Sequence, residues 1–144
     1  LFTEFMLDPD QNGIEYIEIT NNGSYPVNAK DLFIGLLNNQ NSFSYLQPIS
    51  HTDIAIYPDT YWVLTGNEIK LQSKHQPNPR QLLAIKNLPA LNNQSAHWQL
   101  LYKDGSVIDK IIYDSKWHFR LHTTTKGIAL ERISLNEATQ SPHN

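Results

Sequence analysis

Residues 102–119 read YKDGSVIDKIIYDSKWHF, and this stretch decides the fold. Asp104-Gly105 separates two apolar-rich segments, HWQLLY before it and VIDKIIYD after it. Asp-Gly between alternating apolar runs is the strongest short-range signal of a β-hairpin. Glycine supplies the positive φ of such a turn at no steric cost. The stretch also gathers Asp, Ser, His and Trp side chains, which invites a catalytic reading. Ser106 lies in no Gly-x-Ser-x-Gly setting, the context that exposes a serine nucleophile. Asp109 sits mid-strand on the face of Val107, Ile111 and Tyr113, where it needs a hydrogen-bond partner or solvent. His118 is flanked by Trp117 and Phe119 and reads as a packed histidine. The stretch is therefore architecture: a turn, core Ile and Tyr residues, and a Trp-His-Phe anchor at the hairpin end.

The rest of the chain repeats the pattern of short apolar segments broken by Asn, Gly, Pro and Asp. That pattern marks an all-β sandwich or barrel. LFTEFML forms a first strand, closed by the turn-forming DPDQNG. IEYIEIT follows, with Glu15, Ile17 and Ile19 on one face and Tyr16 and Glu18 on the other. After the NNGSYPV turn, DLFIGLL is the next strand, and NNQNSFSY reads as an exposed polar loop. DIAIYP and YWVLT read as strands or a strand pair, with Pro58 pinning their connection. NEIKLQSKHQPNP is expected to be a long loop, because its closely spaced prolines disfavour a central strand. RQLLAIK is a strand candidate whose Leu and Ala also suit a helix, NLPALNNQSA is irregular, and GIALERI is the last strand. The expectation is about eight or nine strands and no helix with clear 3.6-residue periodicity.

Length and composition bound the function. The 144 residues fit one domain, read as 1–134, with SLNEATQSPHN giving a polar C-terminal tail or linker over 135–144. A hydrophobic fraction of 40% with three Trp, seven Tyr and five Phe supplies a core and separates the chain from disordered sequences. The net charge is −3, and Lys and Arg are scattered rather than clustered, which disfavours nucleic acid as a partner. The absence of cysteine excludes disulfides, cysteine-based zinc sites and a thiol nucleophile. No apolar run is long enough to span a bilayer as a helix. The chain starts at Leu1 without a visible signal peptide, as expected of a domain taken from something longer.

Catalytic and metal constellations are weak. His118 and His122 have i,i+4 spacing, but the residues between them lack the glutamate of the zinc-protease motif. Glu15 and Glu18 fall on opposite strand faces, unlike a glycosidase pair. Glu131 and Arg132 also diverge, and one such charge is expected to pair across the sheets. LDPDQNG and YPDTY lack EF-hand spacing. No catalytic residue, metal ligand or cofactor is assigned.

Several segments together carry a family resemblance. They are TEFMLDP, EYIEITNNGSYPVNAKDL, YPDTYWVLT, LPALNNQSAHWQLLYKDGSVIDKIIYDSKWHF and GIALERIS, in that order over nearly the whole chain. In these the chain resembles the lamin tail domain family, in its bacterial branch. HTDIAIYP and KHQPNPR fall outside the resemblance. The resemblance implies an immunoglobulin-like β-sandwich that is not itself an enzyme. It implies an interaction or attachment module of a larger bacterial protein, placed extracellularly, in the periplasm or at the cell surface. No catalytic residues come with the family.

The leading expectation is thus a module that binds a protein or surface partner through loops or a sheet edge. Its candidate contacts are aromatics in polar surroundings: Phe43, Tyr45 and Tyr57. Trp117 and Phe119 are expected in the core. A nucleic-acid-binding alternative needs Lys70, Lys74, Arg80 and Lys86 to converge. A carbohydrate-binding alternative needs an aromatic platform from Trp62, Trp98 and Trp117, residues that also suit the core. A hydrolase would need His118 or His122 beside a carboxylate in a pocket.

Overall fold

The computed structural model describes residues 1–75, 81–117, 124–141 and 144, without the side chains of Lys74, His75 and Ser115. Among the described residues the chain forms eleven strands and one α-helix. They are β1 (Phe2–Met6), β2 (Tyr16–Thr20), β3 (Val27–Asn28), β4 (Leu32–Leu37), β5 (Phe43–Pro48), β6 (Ala55–Ile56) and β7 (Tyr61–Thr65). After α1 (Glu68–His75) come β8 (Leu82–Ala84), β9 (Ser95–Tyr102), β10 (Val107–Asp114) and β11 (Leu130–Glu131). Two main sheets pack as a β-sandwich, in the orders β11-β1-β2-β7-β8 and β10-β9-β4-β5, and β3 pairs with β6 beside them. A single apolar core joins their inner faces. Phe2, Phe5, Ile17, Ile19 and Leu64 meet Ile34, Trp98, Leu100, Ile111 and Tyr113. The Phe5 ring tilts against Phe2 on one side and Tyr113 on the other, with centroids 5.2 and 5.6 Å away.

The decisive hairpin forms as its chemistry requires. β9 and β10 pair antiparallel, with Ile111 opposite Trp98 and Tyr113 opposite Ala96. The turn closes through the Tyr102 N–H donating to the Ser106 carbonyl and the Gly105 N–H donating to the Tyr102 carbonyl. Gly105 has φ +86°, and the Asp104 carboxylate accepts from both the N–H and the hydroxyl of Ser106.

Three expectations are corrected. NNQNSFSY is a loop only at its start. Asn38 organises the turn by accepting from the N–H groups of Gln40 and Ser42, and Phe43 already begins β5. DIAIYP and YWVLT do hold strands, as one of their two readings had it, but not a pair: β6 joins β3, whereas β7 lies between β2 and β8. NEIKLQSKH is a helix rather than a loop. Asn67 starts it by accepting from the Lys70 N–H through its side chain. The physical need for α1 lies in the sheet. β7 and β8 are parallel, and parallel neighbours require a crossover connection, usually helical. Residues 76–80, with the prolines of that stretch, lie outside the described residues.

One buried charge pair ties the layers together. Asp109 on β10 and Arg132, just after β11, form an ion pair at 3.3 Å with side chains 8% and 6% exposed. The carboxylate also accepts from the N–H groups of Phe2 and Lys110 and from the Thr139 hydroxyl. The guanidinium donates to the carbonyls of Phe2, Ser134 and Glu137. Asp109 thus has the hydrogen-bond partners its position demanded, and a charge of the Glu131-Arg132 pair does cross between sheets. Residues 135–144, read from the sequence as a polar tail, return through Glu137 and Thr139 to this same pair. Removing one member of such a pair leaves a buried charge uncompensated. Asp109→Ala is expected to destabilise the domain by about 3–5 kcal/mol, read from urea denaturation.

Candidate functional site

The two sheets present outer faces of opposite character. On the five-stranded sheet, Glu4 stands directly across from Glu18 on β2 and from Glu131 on β11. Tyr16 donates its hydroxyl to Glu4, and Thr3 donates to Glu18 at 2.9 Å. Burial, and then the charges of Glu4 and Glu131, push the Glu18 carboxyl above the ordinary range. On the other side of β2, Glu15 accepts from the Leu91 N–H at 2.8 Å. Burial pushes its carboxyl up as well. The two carboxylates diverge as the alternation of a strand requires. Among the described residues no group of three or more His, Asp or Glu side chains could hold a metal ion.

The outer face of the four-stranded sheet is built from three cross-strand rows, fixed by register. Val107, Leu101, Phe33 and Pro48 form the first, and Lys110, Gln99, Gly35 and Leu46 the second. Ile112, His97, Leu37 and Phe43 form the third. Val107, Ile112, Phe43 and Leu46 are each between 42% and 51% exposed. Lys110 is the only formal charge in these rows. Burial, and then the neighbouring Lys110 ammonium, hold the His97 imidazole below its usual range, so it is neutral at neutral pH. The centre of the face is shaped by Gly35. A Cβ there would come within 2.5 Å of Phe43 Cε1 and 3.2 Å of Leu46 Cδ1. The missing side chain lets both residues lie down over β4.

The residues expected from sequence are not brought together. Phe43 belongs to this face. Tyr45 is a correction: the register shift between Phe43 and Tyr45 turns it to the opposite face, and its ring packs edge-on against buried Trp98 with centroids 6.4 Å apart. Tyr57 is exposed but lies in the β6–β7 turn, where its carbonyl accepts from Thr60. Trp62 and Trp98 are buried, whereas Trp117 is nearly half exposed. That corrects its core placement and leaves no three-tryptophan platform. Lys70 and Lys86 are exposed. The side chain of Lys74 and all of Arg80, His118, Phe119 and His122 lie outside the described residues.

Leu46, Val107 and Ile112 were missed, although the signal was present. FIGLL in β4 and KII in β10 carry apolar residues on both faces, and strands of that kind belong where both faces are covered. No family model matches the chain, and no curated protein matches it. Among the described residues no helix is long and apolar enough to cross a membrane.

Each face yields a test. A carboxyl raised in the folded state favours folding below the ordinary glutamate range, and that contribution is lost as pH rises through the shifted value. Glu18→Gln is therefore expected to raise stability at pH 7 by about 0.5 kcal/mol, with the gain shrinking towards pH 4, as read from paired denaturation curves. Gly35→Ala is expected to cost only about 1 kcal/mol, because the half-exposed Phe43 ring can swing away. The displaced ring should show as changed chemical shifts confined to Phe43 and Leu46.

Proposed function

We propose that this chain is a non-catalytic interaction module of a larger exported bacterial protein, and that the outer face of its four-stranded sheet is the contact surface. The observation that carries this reading is the uncovered apolar rows around Gly35. Phe43, Leu46, Val107 and Ile112 stand exposed there beside a single formal charge. A contiguous exposed apolar patch of this kind marks an interaction site rather than ordinary surface. The opposite outer face, with Glu4, Glu18 and Glu131 aligned, is kept solvated by charge. The resemblance to bacterial lamin tail domains agrees with an immunoglobulin-like topology, an extracellular, periplasmic or surface setting and a protein or surface partner. The packing of two sheets, antiparallel except between β7 and β8, supports the same reading.

The test places a photo-reactive phenylalanine analogue at position 46 or 112 on the apolar face, or at position 63 on the acidic face. Val63 is in register with Glu18, so it samples that surface. In cells of the source organism, positions 46 and 112 are expected to cross-link to a discrete partner band that position 63 does not give. Cross-links from position 63 alone would overturn the assignment.

A further inference from the structure

We propose that a cavity between the β2–β3 loop and the β9–β10 hairpin is a second binding site. Its occupant is a peptide segment of a partner protein that carries an aliphatic side chain flanked by Lys or Arg. The site shares no residue with the apolar rows of the four-stranded sheet, and neither assignment depends on the other.

The cavity holds about 270 Å³. That is at the lower limit of small-molecule sites, about 300–1,000 Å³, and it suits a single side chain better than a cofactor. Its floor is aliphatic, lined by the core residues Ile19, Leu32, Ile56 and Leu100. The polar side chains at the adjoining end of β2 are already engaged. Thr20 donates its hydroxyl to the Thr60 carbonyl at 3.0 Å. Asn21 donates to the carbonyls of Tyr25 and Ile56 and accepts from the Gly23 N–H. A sugar hydroxyl on this floor would lose its hydration and gain no partner, whereas an aliphatic side chain loses nothing. The Asn21 bonds also fasten the loop to the end of β6 before a ligand arrives, and a loop ordered in advance loses less entropy on binding.

The rim has the chemistry of a polypeptide contact. Tyr25 and Tyr102 line the cavity and are 81% and 41% exposed, and exposed Tyr57 directly follows Ile56. Asn22, Gly23 and Ser24 precede Tyr25 in the loop. Tyrosine gives a wide contact at low entropy cost, while Asn, Gly and Ser adapt their hydrogen bonds to the partner.

Charge selects the flanking residues. No Asp, Glu, Lys or Arg lines the cavity, so the groups beside it decide. Lys30 and Lys103 are taken up in ion pairs with Asp53 and Asp31. Asp59 donates its N–H to the Asn21 carbonyl, and Asp104 stands in the turn after Tyr102. Neither carboxylate makes an ion pair among the described residues. The Leu1 amine also borders the cavity, but it donates to the Thr20 carbonyl and burial holds it below its usual range. The balance is negative, and charge complementarity favours a basic segment over an acidic one.

Nuclear magnetic resonance titration of the isotope-labelled chain with the peptide acetyl-Gly-Lys-Leu-Lys-Gly-amide tests this. Saturable shifts are expected at the amides of Asn22, Gly23, Tyr25 and Tyr102, with a dissociation constant on the order of 1 mM. Glutamate in place of both peptide lysines should weaken binding about tenfold, and serine in place of its leucine should abolish it. In the chain, Asp59→Asn combined with Asp104→Asn should erase the preference for lysine over glutamate. Asparagine tolerates the left-handed backbone of Asp59, φ +58°, and keeps an acceptor for Ser106 at position 104. Tyr102→Ala should weaken binding about tenfold with the rest of the spectrum unchanged. Equal binding of the serine peptide would overturn the inserted side chain, and equal binding of the glutamate peptide would overturn the basic partner. Shifts confined to Phe43, Leu46 and Ile112, or no shifts at about 10 mM peptide, would overturn the site outright. The first of these would leave the outer-face reading standing.

Discussion

The buried pairing of Asp109 with Arg132 is the constraint on which the rest of the sandwich depends. Apolar packing between sheets is non-directional and tolerates sliding. A carboxylate that takes donors from β1, β10, Arg132 and Thr139 does not. It fixes where the first strand, the last strand and the C-terminal segment meet. Burying two charges is costly unless every lone pair and proton finds a partner, and this pair is supplied on both sides. The gain is best understood as a single permitted arrangement rather than added stability.

From that fixed arrangement the two outer faces follow. Strand alternation sends one set of side chains into the core and the other outward. On the five-stranded sheet the outward set includes Glu4, Glu18 and Glu131. On the four-stranded sheet it includes Phe33, Leu37, Phe43, Leu46, Val107 and Ile112 around a bare Gly35, with Lys110 its one formal charge. Mutual repulsion within the first face and exposed apolar area on the second both cost folding free energy.

Much of the fold was legible, and the omissions have physical causes. The β9–β10 hairpin was readable because its Asp-Gly turn is local chemistry that needs no tertiary partner. β5 was hidden because Ser44, Leu46, Tyr45 and Gln47 put polar and apolar side chains on both faces, so alternation fails. Helix α1 was hidden because it buries little beyond Leu71, while Ile69 faces solvent, leaving the Asn67 cap as its main signature. The two-residue strands β3 and β6 are too short for periodicity. On the apolar outer face, Phe43 stood out in the sequence only as an aromatic in polar company. Tyr45 failed because the same company surrounds a residue that turns inward. The apolar rows needed the pairing register, which no single strand contains. Asp109's need for a partner was readable, but Arg132 as that partner was not, since the two meet only once the sheets are stacked.

The antiparallel pairing of β1 with β11 has a mechanical side. Glu4 faces Glu131, Phe5 faces Leu130, and the Arg132 N–H reaches back to the Thr3 carbonyl. The chain entering β1 and the chain leaving β11 therefore emerge side by side. A pull that separates those two points loads the bonds between them one after another, as a zip opens, rather than all at once in shear. The strands themselves would offer little resistance. The peg in such a zip is Arg132, held by Asp109 and by the carbonyls of Phe2, Ser134 and Glu137, and the force needed to open the domain would be set there.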